Sequence, residues 1–388
     1  MIPVTKPFLP PLEEYQELVR GVFQREWLTN NGPLVNDLEL KIKRHLGLQH
    51  LLFVGNGTIA LPLAIKALGL TGKIITTPFS YVATSSSIVW EGCEPVYVDI
   101  EENGYNIDSS KIEAAITPEV TGIIATHCFG MPCDVEAIER IAKRHNLKVI
   151  YDAAHAFGTT NKGKSIFEYG DISTCSFHAT KLFHTVEGGM VATNSPELLR
   201  RLSLMRNFGH SGPETFDGVG INGKNSEFHA AMGIENLRYI GAILEKRRSQ
   251  CEAYINLLSN SQLVLPDAKN SAWNCAYFPV VFEDESQCLK VKIALEKAEI
   301  FPRRYFYPSL DGVNNWSADS CVNSRETASR ILCLPLYHNL SFEEMEIIVR
   351  IMKRTMGNSD VKRVAIMQPY FLLSHNVVLE LINMNTNS

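Results

Sequence analysis

The chain contains no C-x-x-C pair, and its nine cysteines (93, 128, 133, 175, 251, 275, 288, 321 and 333) are scattered and odd in number. That argues against a zinc site and a disulfide framework, and fits reduced thiols in a cytoplasm. Long apolar runs are also missing, so no segment is expected to span a membrane. The opening Met1-Ile2-Pro3-Val4-Thr5-Lys6-Pro7 lacks the charged and apolar regions of a signal peptide. No large basic block occurs, and Lys plus Arg number 37 against 42 Asp plus Glu, a net charge of -5, which gives a nucleic-acid surface little electrostatic support. Neither internal repeats nor low-complexity stretches are apparent, which sets solenoids aside.

What is present is an ordinary globular composition: 388 residues, 45% apolar and 20% charged, enough for about two domains with substantial cores. From about residue 50 to 195, short β-branched runs alternate with helical patterns, the mark of a parallel sheet built from β-α units. Strands are predicted at 51–54, 74–77, 95–99, 122–126, 149–151, 172–177 and 190–193. A helix follows Gly57 and stops at Gly69, with Pro62 expected near its first turn, where a missing donor costs little. Asp134 is predicted to cap a helix with Val135, Ile138, Ile141 and Ala142 on its apolar face and Lys143, Arg144 and His145 matching its dipole. A long amphipathic helix over about 227–258 would lead to a smaller α+β region: strands at 277–282 and 331–334, a helix at 286–298, and a Ser341/Glu344 capping box opening a helix to about Met356.

Ligands of open parallel sheets gather at the carboxyl ends of strands. Gly55-Asn56-Gly57-Thr58 ends a strand and opens a helix, offering N–H groups and a positive dipole to a phosphate, although glycine there is more often only a turn. Asp152, in Tyr151-Asp152-Ala153-Ala154-His155, follows an apolar strand; it is either a cation holder or a helix cap. Lys181, in Ser176-Phe177-His178-Ala179-Thr180-Lys181, comes just after another strand, where desolvation favours the free amine needed for imine formation; most lysines are instead solvated charges. Tyr81, in Thr77-Pro78-Phe79-Ser80-Tyr81-Val82-Ala83-Thr84, either stacks on a flat cofactor or merely packs. Each signal alone is weak. Their joint occurrence in one sheet points to a single site.

These segments, with Gly32-Pro33, Glu187-Gly188-Gly189 and Leu334-Pro335-Leu336, resemble the sugar aminotransferases of the DegT/DnrJ/EryC1/StrS family over most of residues 1 to 355. The resemblance implies an α/β fold of the aspartate aminotransferase type (fold type I), with a central mostly parallel sheet and a smaller α+β C-terminal domain. It divides the chain into an N-terminal segment (1–30) packing with the small domain, a large cofactor domain (31–240), a small domain (241–357) and a tail (358–388). It implies pyridoxal 5'-phosphate bound covalently by Lys181, with Asp152 on the pyridinium nitrogen, Tyr81 on the ring face and His155 near the ring hydroxyl. Gly57, Thr58 and Ser176 would hold the phosphate, His178 would also line the cofactor site, and Asn222 would complete the phosphate site of a partner subunit in a homodimer. No metal is implied. Two departures stand out: Val186 replaces the first glycine of the usual Gly-Glu-Gly-Gly, and Gly223-Lys224 replaces the Tyr-Arg that often follows the asparagine.

The activity implied is a ping-pong transamination from glutamate to a nucleotide-linked keto sugar, with Lys181 as the base. The opening of the chain and Phe79-Ser80-Tyr81 point within the family to C4 of a dTDP-4-keto-6-deoxyhexose, giving dTDP-4-amino-4,6-dideoxyglucose for O-antigen or other surface polysaccharide. Amination at C3 and a noncatalytic sensor remain open, whereas Lys181 argues against the family's dehydratases, which carry histidine there. Arg303 and Arg304 are candidates for a carboxylate or pyrophosphate, or else exposed loop charges. Residues 27–31 either border the sugar pocket or, for Trp27, pack in the core. Residues 364–372 resemble the opening of WbqC-like proteins from polysaccharide loci.

Overall fold

The computed structural model describes residues 1–267, 272–313, 316 and 321–357, so the tail and its WbqC-like segment lie outside the described residues. The helices used below are α1 (Leu12–Arg25), α2 (Pro33–Leu46), α3 (Gly57–Leu68), α4 (Val82–Trp90), α5 (Val135–His145), α6 (Pro196–Met205), α7 (Glu227–Leu258), α8 (Glu285–Lys297), α9 (Val322–Arg330) and α10 (Phe342–Thr355). Seven strands form the main sheet: β1 (His50–Val54), β2 (Lys73–Thr76), β3 (Glu94–Tyr97), β4 (Val120–Thr126), β5 (Lys148–Asp152), β6 (Ile172–Ser176) and β7 (Gly189–Thr193). Their spatial order is β1-β7-β6-β5-β4-β2-β3. β7 runs antiparallel to both of its neighbours and the other pairings are parallel, so β1, β2, β5 and β6 all end at one edge.

Alternate residues of each strand feed opposite cores, as the pleat requires. Phe53, Ile75, Ile123, Val149 and Met190 join the core beneath α2, α5 and α7, whereas Leu52, Ile74, Ile124, Ile150 and Val191 join the one beneath α3 and α6. Helix starts follow local chemistry: Asn56 Oδ1 accepts the Ile59 N–H at 2.8 Å, Asp134 accepts that of Ala137, and Ser341 with Glu344 closes a capping box. Pro62, however, is the sixth residue of α3 rather than a first-turn residue, so the Thr58 carbonyl loses its helical donor.

One cap is long-range. Glu227, fully buried at the start of α7, accepts the N–H groups of Leu34 and Val35 at 2.9 Å each and so closes the start of α2. Gly32 is required beside it, because a Cβ there would lie 2.6 Å from the Glu227 carboxyl carbon.

A second core is built from the C-terminal half of α7, helices α8 and α10, and the antiparallel pair β8 (Phe278–Val281) and β9 (Ile331–Leu334). The two-residue strand Ile2–Pro3 pairs with Ile300–Phe301, and α1 packs on α7. Trp27 is 48% exposed, with its indole N–H donated to the Thr29 carbonyl, so core packing for this residue is overturned. Among the described residues no helix is long and apolar enough to cross a membrane.

Candidate active site

Asp152 is the last residue of β5 and is buried. Thr84, on the first turn of α4, donates its hydroxyl to Asp152 Oδ2 at 2.7 Å, and the Ala154 N–H donates to Oδ1 at 3.2 Å. Burial raises the carboxyl pKa above its ordinary value, while these two donors and the nearby Lys181 charge pull it back.

Lys181 lies in the loop after β6, held by its own N–H donated to the His178 carbonyl at 2.9 Å. Its Nζ is 3.5 Å from the Tyr277 hydroxyl, across from the small-domain side. Burial lowers the amine pKa, opposed by the Tyr305 and Tyr81 phenols and by Asp152. The protonated form is thus disfavoured relative to an ordinary lysine, as an imine-forming amine requires.

His155 is buried, with its ring 4.7 Å from that of Tyr277 and stacked at 5.8 Å on Phe306. Its Nδ1 is buried and has no partner among the described residues, and burial with the Lys181 charge keeps the imidazole neutral. Tyr81 is 60% exposed at the N-terminus of α4, with its phenol close enough to act electrostatically on Lys181.

Gly57 opens α3 hard against the end of β6: a Cβ at 57 would sit 2.7 Å from the Ser176 Cβ. Gly189 approaches as tightly, since its Cβ would meet the Asn56 carbonyl and the Gly57 nitrogen at 2.6–2.7 Å. Asn56 takes the Ile59 N–H, leaving those of Gly57 and Thr58 at the open end of the helix beside Ser176.

His178 is exposed and engages Thr180 Oγ1 at 2.8 Å and Glu187 at 3.5 Å rather than Lys181 or Asp152. Asn222 is exposed on a segment bridged to Asn207, and the next residue, Gly223, accepts the Gly55 N–H at 2.8 Å. Lys224 donates to Asn207 Oδ1 at 2.8 Å and lies over the Phe208 ring, so it is held within its own loop. Arg304 is engaged by Glu285 and the Ser329 carbonyl, which removes it as a substrate contact, whereas Arg303 is exposed with its guanidinium 5.3 Å from the Tyr305 ring. Val186, at the departure from Gly-Glu-Gly-Gly, has φ 66°, the left-handed backbone that favours glycine.

Sequence reasoning assigned no role to Thr84, Ser80, Thr126, Tyr277, Tyr305 or Phe306. Ser80 and Thr84 stood inside the Thr77-to-Thr84 motif; for the small-domain aromatics no signal in the sequence marks their approach to Lys181 or His155, far earlier in the chain. The residues at hand fit pyridoxal phosphate: a buried carboxylate for a protonated ring nitrogen, an amine whose protonated form burial disfavours, a His155 Nδ1 with no partner among the described residues, and a helix start that a Cβ at 57 would crowd.

The sequence matches the DegT/DnrJ/EryC1/StrS aminotransferase family over residues 12–353. It is 41% identical over 355 residues to dTDP-4-amino-4,6-dideoxy-D-glucose transaminase of Shigella dysenteriae, covering 89% of this chain and 96% of that protein. Its identity to the Escherichia coli transaminase of the same name is 40% over 369 residues, covering 92% and 98%. Among solved structures, DesI in the presence of its TDP-sugar product superposes with a TM-score of 0.87 at 28% identity, over 92% of this chain and 94% of that one. With the mostly parallel sheet, the strand-end cluster and this match agreeing, the chain belongs to the DegT/DnrJ/EryC1/StrS aminotransferase family.

Proposed function

We propose that this aminotransferase uses pyridoxal phosphate to move an amino group from glutamate to C4 of a dTDP-4-keto-6-deoxyhexose, giving dTDP-4-amino-4,6-dideoxyglucose. The observation that carries the reading is Lys181, a desolvated amine beside a buried carboxylate, in a chain about two-fifths identical to transaminases bearing that product's name.

When bound, the cofactor supplies a carbonyl for the amines and a ring that accepts electrons. Lys181 is the residue that holds it and, once released, the base: its Nζ takes the proton from the donor Cα and later delivers one to the sugar carbon that receives nitrogen. Asp152 keeps a proton on the ring nitrogen. Gly57, Thr58 and Ser176 hold the phosphate from the α3 end, Tyr81 covers the ring, and neutral His155 offers Nδ1 to the ring hydroxyl. Arg303 is the cation for a substrate carboxylate or pyrophosphate.

The reading includes a homodimer in which Asn222 reaches the partner's cofactor phosphate. Support comes from exposed Leu28, Phe208, Phe216, Val219 and Ile221 near a depression lined by Asn30, Asn31, Asn207, Phe208, His210 and Lys224. His178 remains a site-lining residue in this reading, although its ring faces Glu187 in the single chain. The product would serve a surface polysaccharide such as O-antigen, made in the cytoplasm; nine free, buried cysteines accord with that compartment.

The test is incubation with pyridoxal phosphate, glutamate and a panel of nucleotide keto sugars, with NMR locating the new amine. An amine at C4 of the dTDP-linked 4-keto sugar is expected; an amine at C3, or none, overturns the assignment.

A further inference from the structure

Leading to one oxygen of Asp152 is a row of hydroxyls that the reaction above does not use. Thr84 Oγ1 donates to Asp152 Oδ2 at 2.7 Å, Ser80 Oγ lies 2.8 Å from Thr84 Oγ1, and Thr126 Oγ1 lies 3.2 Å from Ser80 Oγ. All four side chains are buried. Ser80 comes from the turn before α4, Thr84 from its first turn, and Thr126 and Asp152 from the adjacent carboxyl ends of β4 and β5.

Proton counting fixes the direction of the row. An ionised carboxylate only accepts, and each hydroxyl has one proton to give. Thr84 gives its proton to Asp152, so the 2.8 Å contact requires Ser80 to donate to Thr84. With the Ser80 proton committed, the 3.2 Å contact requires Thr126 to donate to Ser80. Three O–H dipoles then point the same way, toward one carboxylate oxygen, each polarising the next. We propose that Thr126, Ser80 and Thr84 form a one-way hydroxyl chain of positioning residues that holds Asp152 as the oriented anion facing the cofactor ring nitrogen.

The chain answers a conflict built into the site. Asp152 must be buried to act on the ring, yet burial favours its neutral form, and a neutral carboxyl cannot keep a proton on the ring nitrogen. Among the described residues, one backbone N–H, from Ala154, is the other donor to this carboxylate. A donor row ending on the second oxygen supplies what bulk water would otherwise give to this buried carboxylate. A proton at Asp152 would reverse the logic, because a protonated carboxyl can itself donate and release Thr84. The arrangement is therefore specific to the anion.

The inference rests on the reading that Asp152 pairs with the ring nitrogen, so the experiment separates the two. In cofactor-free protein, the Asp152 carboxyl is titrated by 13C NMR in the wild type and in Thr84→Val, Thr84→Ser and Ser80→Ala. Thr84→Val is expected to move the midpoint up by about 1 pH unit, Ser80→Ala by less in the same direction, and Thr84→Ser not at all. With ring-15N cofactor bound, Thr84→Val is expected to shift the nitrogen signal toward the unprotonated position. It should also lower kcat about tenfold while leaving KM for both substrates unchanged, with Thr84→Ser rescuing both readouts. Unmoved midpoints in Thr84→Val and Ser80→Ala overturn the hydroxyl chain, as does a Thr84→Ser protein as impaired as Thr84→Val, which would make the role one of packing. Ser80→Ala is the smallest change and decides the matter if Thr84→Val fails to fold. An Asp152→Asn control with an unshifted ring nitrogen would instead overturn the Asp152 pairing, and with it the chain's link to the cofactor.

Discussion

Lys181 has a pKa that burial pushes below the ordinary lysine value of 10.5, and that sign sets its chemistry. The reactive species is the free amine, whose fraction rises with pH and levels off above the folded pKa. In cofactor-free protein, the rate of condensation with pyridoxal phosphate, followed by absorbance, should therefore reach its half-maximum at a pH below 10.5. Lys181→Ala should show neither this condensation nor multiple turnovers. A half-maximum at or above 10.5, or normal turnover by the variant, would remove Lys181 from the proposed role. Val186 makes a second residue-scale case. A β-branched residue at φ 66° carries a backbone penalty that glycine avoids, partly offset by the greater freedom glycine loses on folding. Val186→Gly is expected to stabilise the protein by about 1 kcal/mol in urea unfolding, and a lower midpoint would contradict that. The sequence exposed this position as a departure from the family pattern. The left-handed backbone that makes the departure costly belongs to the folded loop and could not be read from residue type.

Among the elements, the start of α2 shows how a helix end is held by another part of the chain. Pro33 fills its first position without needing a donor, and the next two N–H groups go to Glu227, 193 and 192 residues away. One carboxylate thus faces the positive ends of two helices, α2 and α7. Glu227→Gln keeps the shape but turns an NH2 group toward one of the two donors. A destabilisation of about 1–3 kcal/mol is expected, read as a lower urea midpoint with unchanged slope, and an unchanged midpoint would show the pairing to be dispensable. The strands and helices themselves were largely legible, because regular pleats and helical faces repeat over short windows. The long helix over 227–258 and the capping box at Ser341 were read directly from such patterns. Gly32-Pro33 was visible only as a motif, since its reason is a partner nearly two hundred residues on. Thr84 was passed over for a related cause: threonine beside a helix start is common, and only folding brings Asp152, 68 residues later, against it. Trp27 misled because an aromatic ring in sequence does not tell a core from an exposed surface.

Within the whole molecule, the proposed homodimer sets Asn222 of one subunit at the cofactor cluster of the other. A C2 dimer makes this exchange reciprocal: each protomer lends Asn222 to the site that contains its partner's Lys181. Two defective variants should then repair each other. In a mixed dimer of Lys181→Ala and Asn222→Ala, one site holds both lesions, while the other combines an intact Lys181 with an intact Asn222. Random pairing of equal amounts makes half the dimers mixed, with one sound site of two in each, so about a quarter of the wild-type activity per subunit should return. The mixture should be unfolded and refolded together, and compared with the same proteins refolded apart and then combined. If Asn222 instead served its own chain, every mixed dimer would carry one lesion in each site, and co-refolding would restore nothing. The design reads the subunit origin of a single residue through activity alone, independently of the sugar that is finally aminated.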